Sequence, residues 1–137
     1  MTRMRFRTDR PLAAEAAGLL AAGLPLPPNL AYMVREGVVD PASVPPAEPG
    51  DTWLIRWHAP DGNGPVAGYA IRCPKCRQVH HWTSATNCRP CPHQGTGSCW
   101  TWIGDPAANT LTARPSLYAS HACGWHGFLT NGVLSSC

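Results

Sequence analysis

Cys73 and Cys76 stand in the stretch RCPKCRQ, and Cys123 and His126 stand in HACGWHG. Thiolates and imidazole nitrogens are the ligands a structural zinc ion takes, four at a time in a tetrahedron. They arrive as two close pairs from separated parts of a chain, so that the metal clips the fold and its binding energy becomes folding energy. A Cys-x-x-Cys turn holds two sulfurs near one ion and lets backbone N–H groups point at them. Cys73, Cys76, Cys123 and His126 therefore make a candidate Cys₃His set.

A second pairing competes. Cys88 and Cys91 form another Cys-x-x-Cys, and joined to Cys73 and Cys76 they would make a four-cysteine ribbon. Alternatively Cys88, Cys91, His93 and Cys99 form a second, local metal site, or these cysteines pair oxidatively or stay free. His80 and His81 follow the first knuckle and read as ordinary strand residues outside the ligand set; a hydrogen-bonding role behind the ligands is the alternative. Cys137 reads as a free thiol.

The candidate set argues against catalysis. A catalytic zinc keeps one position open for water, whereas four protein ligands close the shell. Three thiolates also lower the Lewis acidity of the ion. A deaminase needs a His-x-Glu ahead of its Pro-Cys-x-x-Cys, and no glutamate follows Glu48. Beyond Trp53 the only acids are Asp61 and Asp105, both with turn-like neighbours, which leaves few partners for general acid–base hydrolysis. A nucleophilic Cys99 with a histidine has nothing in its favour. The expectation is a protein with no catalytic residues, not an enzyme.

Composition bounds the rest. Seven cysteines among 137 residues is an odd number, which would leave a disulfide set incomplete. The start of the chain has a basic opening and an Ala/Leu stretch, but Glu15, Gly18 and Gly23 interrupt it, against a signal peptide. No apolar run reaches the roughly 18 residues that span a bilayer. Clustered cysteines in an intracellular protein point to metal binding. A net charge of +3 without a concentrated basic stripe argues against nucleic-acid binding.

The elements that must position the ligands are mostly strands. Residues 51–58, DTWLIRWH, alternate Trp53, Ile55 and Trp57 with polar residues, and VAGYAIRC follows a turn-rich APDGNGP, which predicts a hairpin. VHHWT, CWTWI, NTLTA, GFLT and GVLSS are further strand candidates, the last two joined by Asn131-Gly132, a strong hairpin-turn signal. The tryptophans of this region read as core residues, with a ligand-stacking platform as the alternative. Residues 11–22 predict a helix capped by Asp9, and Asn29 predicts the cap of a second over LAYMVRE. The expected architecture is mainly β: a small zinc-clipped antiparallel domain over residues 51–137, preceded by a Pro-rich, partly helical arm over residues 1–50. Arg3, Arg5, Arg7 and Arg10 would let that arm dock on an acidic partner.

The blocks CPKC with His80, CWTWIGDP, TLTARPSL and CGWHGFLTNGVL, in that order, resemble a family of unknown function found in tailed-bacteriophage genomes. Its members carry the label "ammonia monooxygenase", which these residues do not support. The resemblance covers about residues 71–137 and implies that Cys73, Cys76, Cys123 and His126 are metal-type positions. Relative to shorter members, NCRPCPHQGTGSC looks like an insertion. The phage association, the closed ligand set and the long arm together set the expectation of a non-enzymatic virion protein: a decoration or cement protein on the capsid, made in the bacterial cytoplasm. Its partners would be other virion proteins, with no membrane. The alternatives are a phage-encoded zinc module that binds a host protein or nucleic acid, and a metal or thiol enzyme.

Overall fold

The structure is a computed structural model that describes residues 1–56, 66–83, 100–119 and 123–137. The chain divides into two compact units, one of residues 8–48 and one of residues 1–7 with 49–137. The boundary expected at residue 50 thus falls at Glu48/Pro49, and the first seven residues belong with the β unit.

In the smaller unit, Pro11 opens helix α1 (Pro11–Ala21), where a missing N–H costs no hydrogen bond. Alanines and leucines fill the helix, and Gly23, at a φ of 70°, ends it. Helix α2 (Pro28–Arg35) also begins on proline, and Gly37 at φ 75° follows it. Neither expected cap is used: α1 is entered from Arg10 and α2 from Pro27, with no side-chain capping bond, and Asn29 lies inside α2. The proline-rich stretch read as a linker contains a 3₁₀ turn, Pro41–Ser43, in which Asp40 Oδ1 accepts the Ala42 N–H at 3.0 Å. Ala13, Ala16, Leu19, Leu30 and Val39 form a small core of their own. An arm without a core was expected here; close approach of small alanines makes a core from few large side chains.

The larger unit is mainly β. Strands β1 (Thr2–Arg3), β2 (Arg5–Arg7), β3 (Asp51–Arg56), β4 (Val66–Arg72), β5 (Val79–Thr83), β6 (Thr101–Ile103), β7 (Thr112–Arg114), β8 (Leu117–Tyr118), β9 (His126–Thr130) and β10 (Val133–Ser136) follow in order. One sheet runs β1-β10-β9-β8, a second β2-β3-β4-β5, and β6 pairs with β7. All pairs are antiparallel except β2 with β3. The β9–β10 turn has φ of 45° at Asn131 and 78° at Gly132, the positive pair a tight hairpin of matching twist requires.

The start of the chain is therefore strand rather than docking arm. Arg3, Arg5 and Arg7 alternate with Met4 and Phe6, a period of two, and Met4 is buried. Arg5 Nε and Nη2 donate to the Asp51 carboxylate at 2.8 Å each, and Arg7 Nη1 donates to it at 2.9 Å. Arg7 also lies 5.2 Å from the Trp53 ring centre. Arg10, in the other unit, donates to the Val38 carbonyl. Three of the four arginines expected to meet a partner thus have partners within the chain.

One core serves the sheets: Met4, Tyr69, Ile71, Trp82, Leu111, Leu117, Trp125, Leu129 and Leu134 are buried together. Trp53, Trp82, Trp100 and Trp125 are buried, as core tryptophans should be. Trp82 of β5 meets Trp125 edge-on at 6.3 Å, just ahead of β9. Trp57 lies outside the described residues.

Candidate active site and metal centre

The loop between β4 and β5 is the first cysteine knuckle. Cys73 N–H donates to the Gln78 carbonyl and Arg77 N–H to that of Cys73, at 2.7 and 3.0 Å, which closes the turn. Arg77 sits at φ 64°, and this reversal aims backbone donors at sulfur. Lys75 N–H points to Cys73 Sγ at 3.3 Å, and Gln78 N–H to Cys76 Sγ at 3.5 Å. The connection from β8 to β9 brings Cys123 to the same place. There, Gly124 takes a φ of 76° and donates its N–H to Ala119 O at 2.9 Å, and Lys75 Nζ donates to Cys123 O at 3.1 Å.

The structure thus gathers Cys73, Cys76, His80 and Cys123, with ligand atoms all within 4.8 Å of one another. Cys73 and Cys123 sulfurs are 3.6 Å apart, and His80 Nε2 is 3.2 Å from Cys76 Sγ and 3.6 Å from Cys123 Sγ. A tetrahedral zinc with bonds of about 2.3 Å to sulfur and 2.0 Å to nitrogen separates its ligands by roughly 3.5–3.8 Å. The cluster fits and could hold a metal ion. Burial lowers the His80 pKa, and His81 adds to this, so the imidazole is held neutral as a ligand must be. Burial, reinforced by the two nearby cysteines and partly offset by the Gln78 N–H, pushes Cys76 up to about 12. Cys123 moves the other way. Its partial burial raises it, but the Trp125 N–H, the other two thiols and Lys75 outweigh that. A divalent cation bound here would displace the protons of the thiols that hold it.

His126, expected as the fourth ligand, stands outside this cluster, and His80 takes that place in it. Strand alternation explains why: Trp125 and Gly127 turn into the core, so His126 turns out to solvent. His80, by contrast, shares the inward face of β5 with Trp82, which it meets edge-on at 5.9 Å. The second expected metal site, Cys88, Cys91, His93 and Cys99, lies outside the described residues.

On the outer side of β9, His126 has a different partner. Its Nε2 lies 2.7 Å from Ser116 Oγ. Ser116 enters β8 directly after the cis Arg114–Pro115 peptide, and its carbonyl accepts from Trp100 Nε1 at 3.0 Å, which fixes the backbone that carries the hydroxyl. Tyr118 stands opposite His126 in the ladder, and the two rings lie 5.0 Å apart at 45°, which limits rotation of the imidazole. Trp125 Nε1 donates to Ser136 Oγ at 3.0 Å and ties the segment ahead of His126 to β10. A cavity of about 470 Å³ opens beside His126, between Pro74 and Lys75 of the knuckle, Gly124 and Trp125, and Ser136 and Cys137. A hydroxyl within hydrogen-bond reach of an imidazole that has room around it is the arrangement of an activated nucleophile and its general base.

The sequence reading missed this pair. Ser116 was visible only as part of a Pro-Ser-Leu block, and a lone serine is too common to mark a nucleophile. The alternation of β9 was the signal that freed His126 from the metal.

Residues 44–137 match the family model described as "Bacterial ubiquitination-like system serine protease (BubE)". No curated protein matches the chain, and no solved structure does. The match replaces the phage family that the sequence resembled and overturns the capsid decoration protein, the phage-encoded binding module and the virion location, and with them the non-enzyme expected from the closed ligand set and the few acids. The Ser116–His126 contact is compatible with that match. The acid count that argued against catalysis does not bear on a serine whose base is an imidazole.

Proposed function

The chain belongs to the bacterial ubiquitination-like system serine protease family, and from that premise we propose that it cleaves an amide bond in a protein of such a system, with Ser116 as nucleophile and His126 as general base. The 2.7 Å contact between Ser116 Oγ and His126 Nε2 carries the reading. In the reaction, Nε2 takes the hydroxyl proton as Oγ attacks the scissile carbonyl. The same proton then passes to the leaving amine, and an acyl-serine forms. Water, deprotonated by His126, releases the acid and restores the hydroxyl. Because His126 must reach the leaving nitrogen, the leaving side of the substrate lies over the imidazole and toward the cavity beside it. The Tyr118 ring limits rotation of the imidazole, which is the orienting part of an aspartate's role in a triad and not its charge stabilisation; among the described residues no carboxylate contacts His126.

The metal we propose for Cys73, Cys76, His80 and Cys123 is zinc, in a closed structural shell. Its contribution is positional. It ties the β8–β9 connection, and so both members of the dyad, to the β4–β5 knuckle. The test is covalent labelling. A fluorophosphonate should modify the protein at Ser116 and nowhere else, and Ser116→Ala should abolish both labelling and proteolysis while the fold and one zinc per chain remain. Labelling that persists in Ser116→Ala, with the adduct on another residue, would sink the assignment.

A further inference from the structure

The sheet face around the dyad has a composition that acyl transfer leaves unexplained. Along β9, Gly127 and Leu129 turn inward, and His126, Phe128 and Thr130 turn outward. The ladder sets Phe128 opposite Ser135 and Thr130 opposite Val133, and on the other side His126 opposite Tyr118. Opposed residues of an antiparallel pair share a face, so these side chains form one flat plate around the base. A solvent-facing strand position ordinarily carries a polar residue. Here Phe128 and Tyr118 are each 51% exposed. Among the described residues, the outward side chains of these strands include no acid, and the one charged side chain is Arg3, opposite Val133 at the edge.

Position adds the second half of the argument. Residues two apart on a strand are spaced about 6.8 Å, so Phe128 is one step from the catalytic imidazole and on its side of the sheet. The β8–β9 register, Leu117 opposite Gly127 and Tyr118 opposite His126, sets Ser116 on the same face as His126 and Phe128. A substrate that extends from the scissile carbonyl across β9 and β10 lies on the plate.

On the reading that Ser116 and His126 form the catalytic site, we infer that this plate is the docking surface for the folded body of a protein substrate, a compact ubiquitin-like domain with an apolar patch, and that Phe128 is its anchor. Buried aromatics carry a disproportionate share of interface affinity. A plate whose centre carries no charged side chain selects against strongly charged surfaces, whose desolvation little on it would repay.

The experiment compares a small probe with a protein probe. The first is the rate of Ser116 labelling by a fluorophosphonate. The second is cleavage of a ubiquitin-like protein of the system fused through its C terminus to a fluorescent protein. Phe128→Asp should raise KM for the fusion at least tenfold with kcat within about threefold, and leave the labelling rate within twofold. Phe128→Leu should restore most of the affinity. Circular dichroism and zinc content confirm that each variant folds. Three results overturn the inference: fusion cleavage unaffected by Phe128→Asp; labelling lost in parallel with it, which makes Phe128 part of the acyl site; or a wild-type dimer that Phe128→Asp dissolves, which makes the plate a self-interface. If the wild type fails to label at all, it is the dyad that falls.

Discussion

Exchanging the roles of two histidines separates the catalytic assignment from the metal assignment. His126→Ala removes the imidazole that lies 2.7 Å from Ser116 Oγ. General-base catalysis contributes about 10²–10⁴-fold, and here the same group also protonates the leaving amine. We expect kcat/KM to fall about 10³–10⁴-fold, which at about 1.36 kcal/mol per tenfold is roughly 4–5.5 kcal/mol of transition-state stabilisation. The structural cost should be small. His126 is exposed and gives up one hydrogen bond, worth about 1 kcal/mol at most. His80→Ala should do the reverse. It leaves Cys73, Cys76 and Cys123 without their nitrogen partner, so zinc affinity and urea stability both drop, and activity is lost only through the fold. The assays are ester turnover, metal content per chain and urea denaturation on the same preparations. Ser116→Ala combined with His126→Ala should be no worse than Ser116→Ala alone, because the pair acts as a unit. The reasoning is refuted if His126→Ala strips the zinc while His80→Ala retains it, or if His126→Ala turns over at near wild-type rate.

Two further outcomes test the frame. Asp51→Ala should cost about 3–5 kcal/mol in urea unfolding, because the Arg7 guanidinium, 6% exposed, keeps its burial and loses this carboxylate; deletion of residues 1–7 should destabilise the β unit comparably, and a silent deletion would refute the strand assignment at the start of the chain. Gly132→Ala should cost about 2 kcal/mol or more, since φ is +78° there and a Cβ would collide with the Asn109 carbonyl, read as a lowered thermal midpoint.

Much of the frame was legible in the residues. Alternation in VHHWT marks β5 residue for residue, and Asn131-Gly132 marks the β9–β10 turn. The Ala/Leu run after Pro11 marks α1 to within a residue. The opening strands escaped because the basic reading of Arg3, Arg5 and Arg7 masked their period of two. The metal centre was half legible. Cys-x-x-Cys makes its turn locally, so Cys73 and Cys76 could be paired from spacing alone, whereas a distant ligand pair offers two histidines at plausible separations. The β5 pattern places His80 with the inward Trp82, and β9 places His126 outward; both follow from the strand period, but only once the strands are known to flank one metal.

The sequence by itself determined the local chemistry: which residues turn, which alternate, and which thiols start close together, because those depend on neighbours a few positions apart. Only the pairing of strands in three dimensions put the residues of the proposed site together. Ser116 and His126 are ten residues apart in a chain whose hydroxyls and imidazoles are individually unremarked. Their contact exists because β9 returns antiparallel along β8, with Leu117 opposite Gly127 and Tyr118 opposite His126, which sets Ser116 and His126 on one face of neighbouring strands. The types of the two residues do not encode that pairing; the register of the strands does.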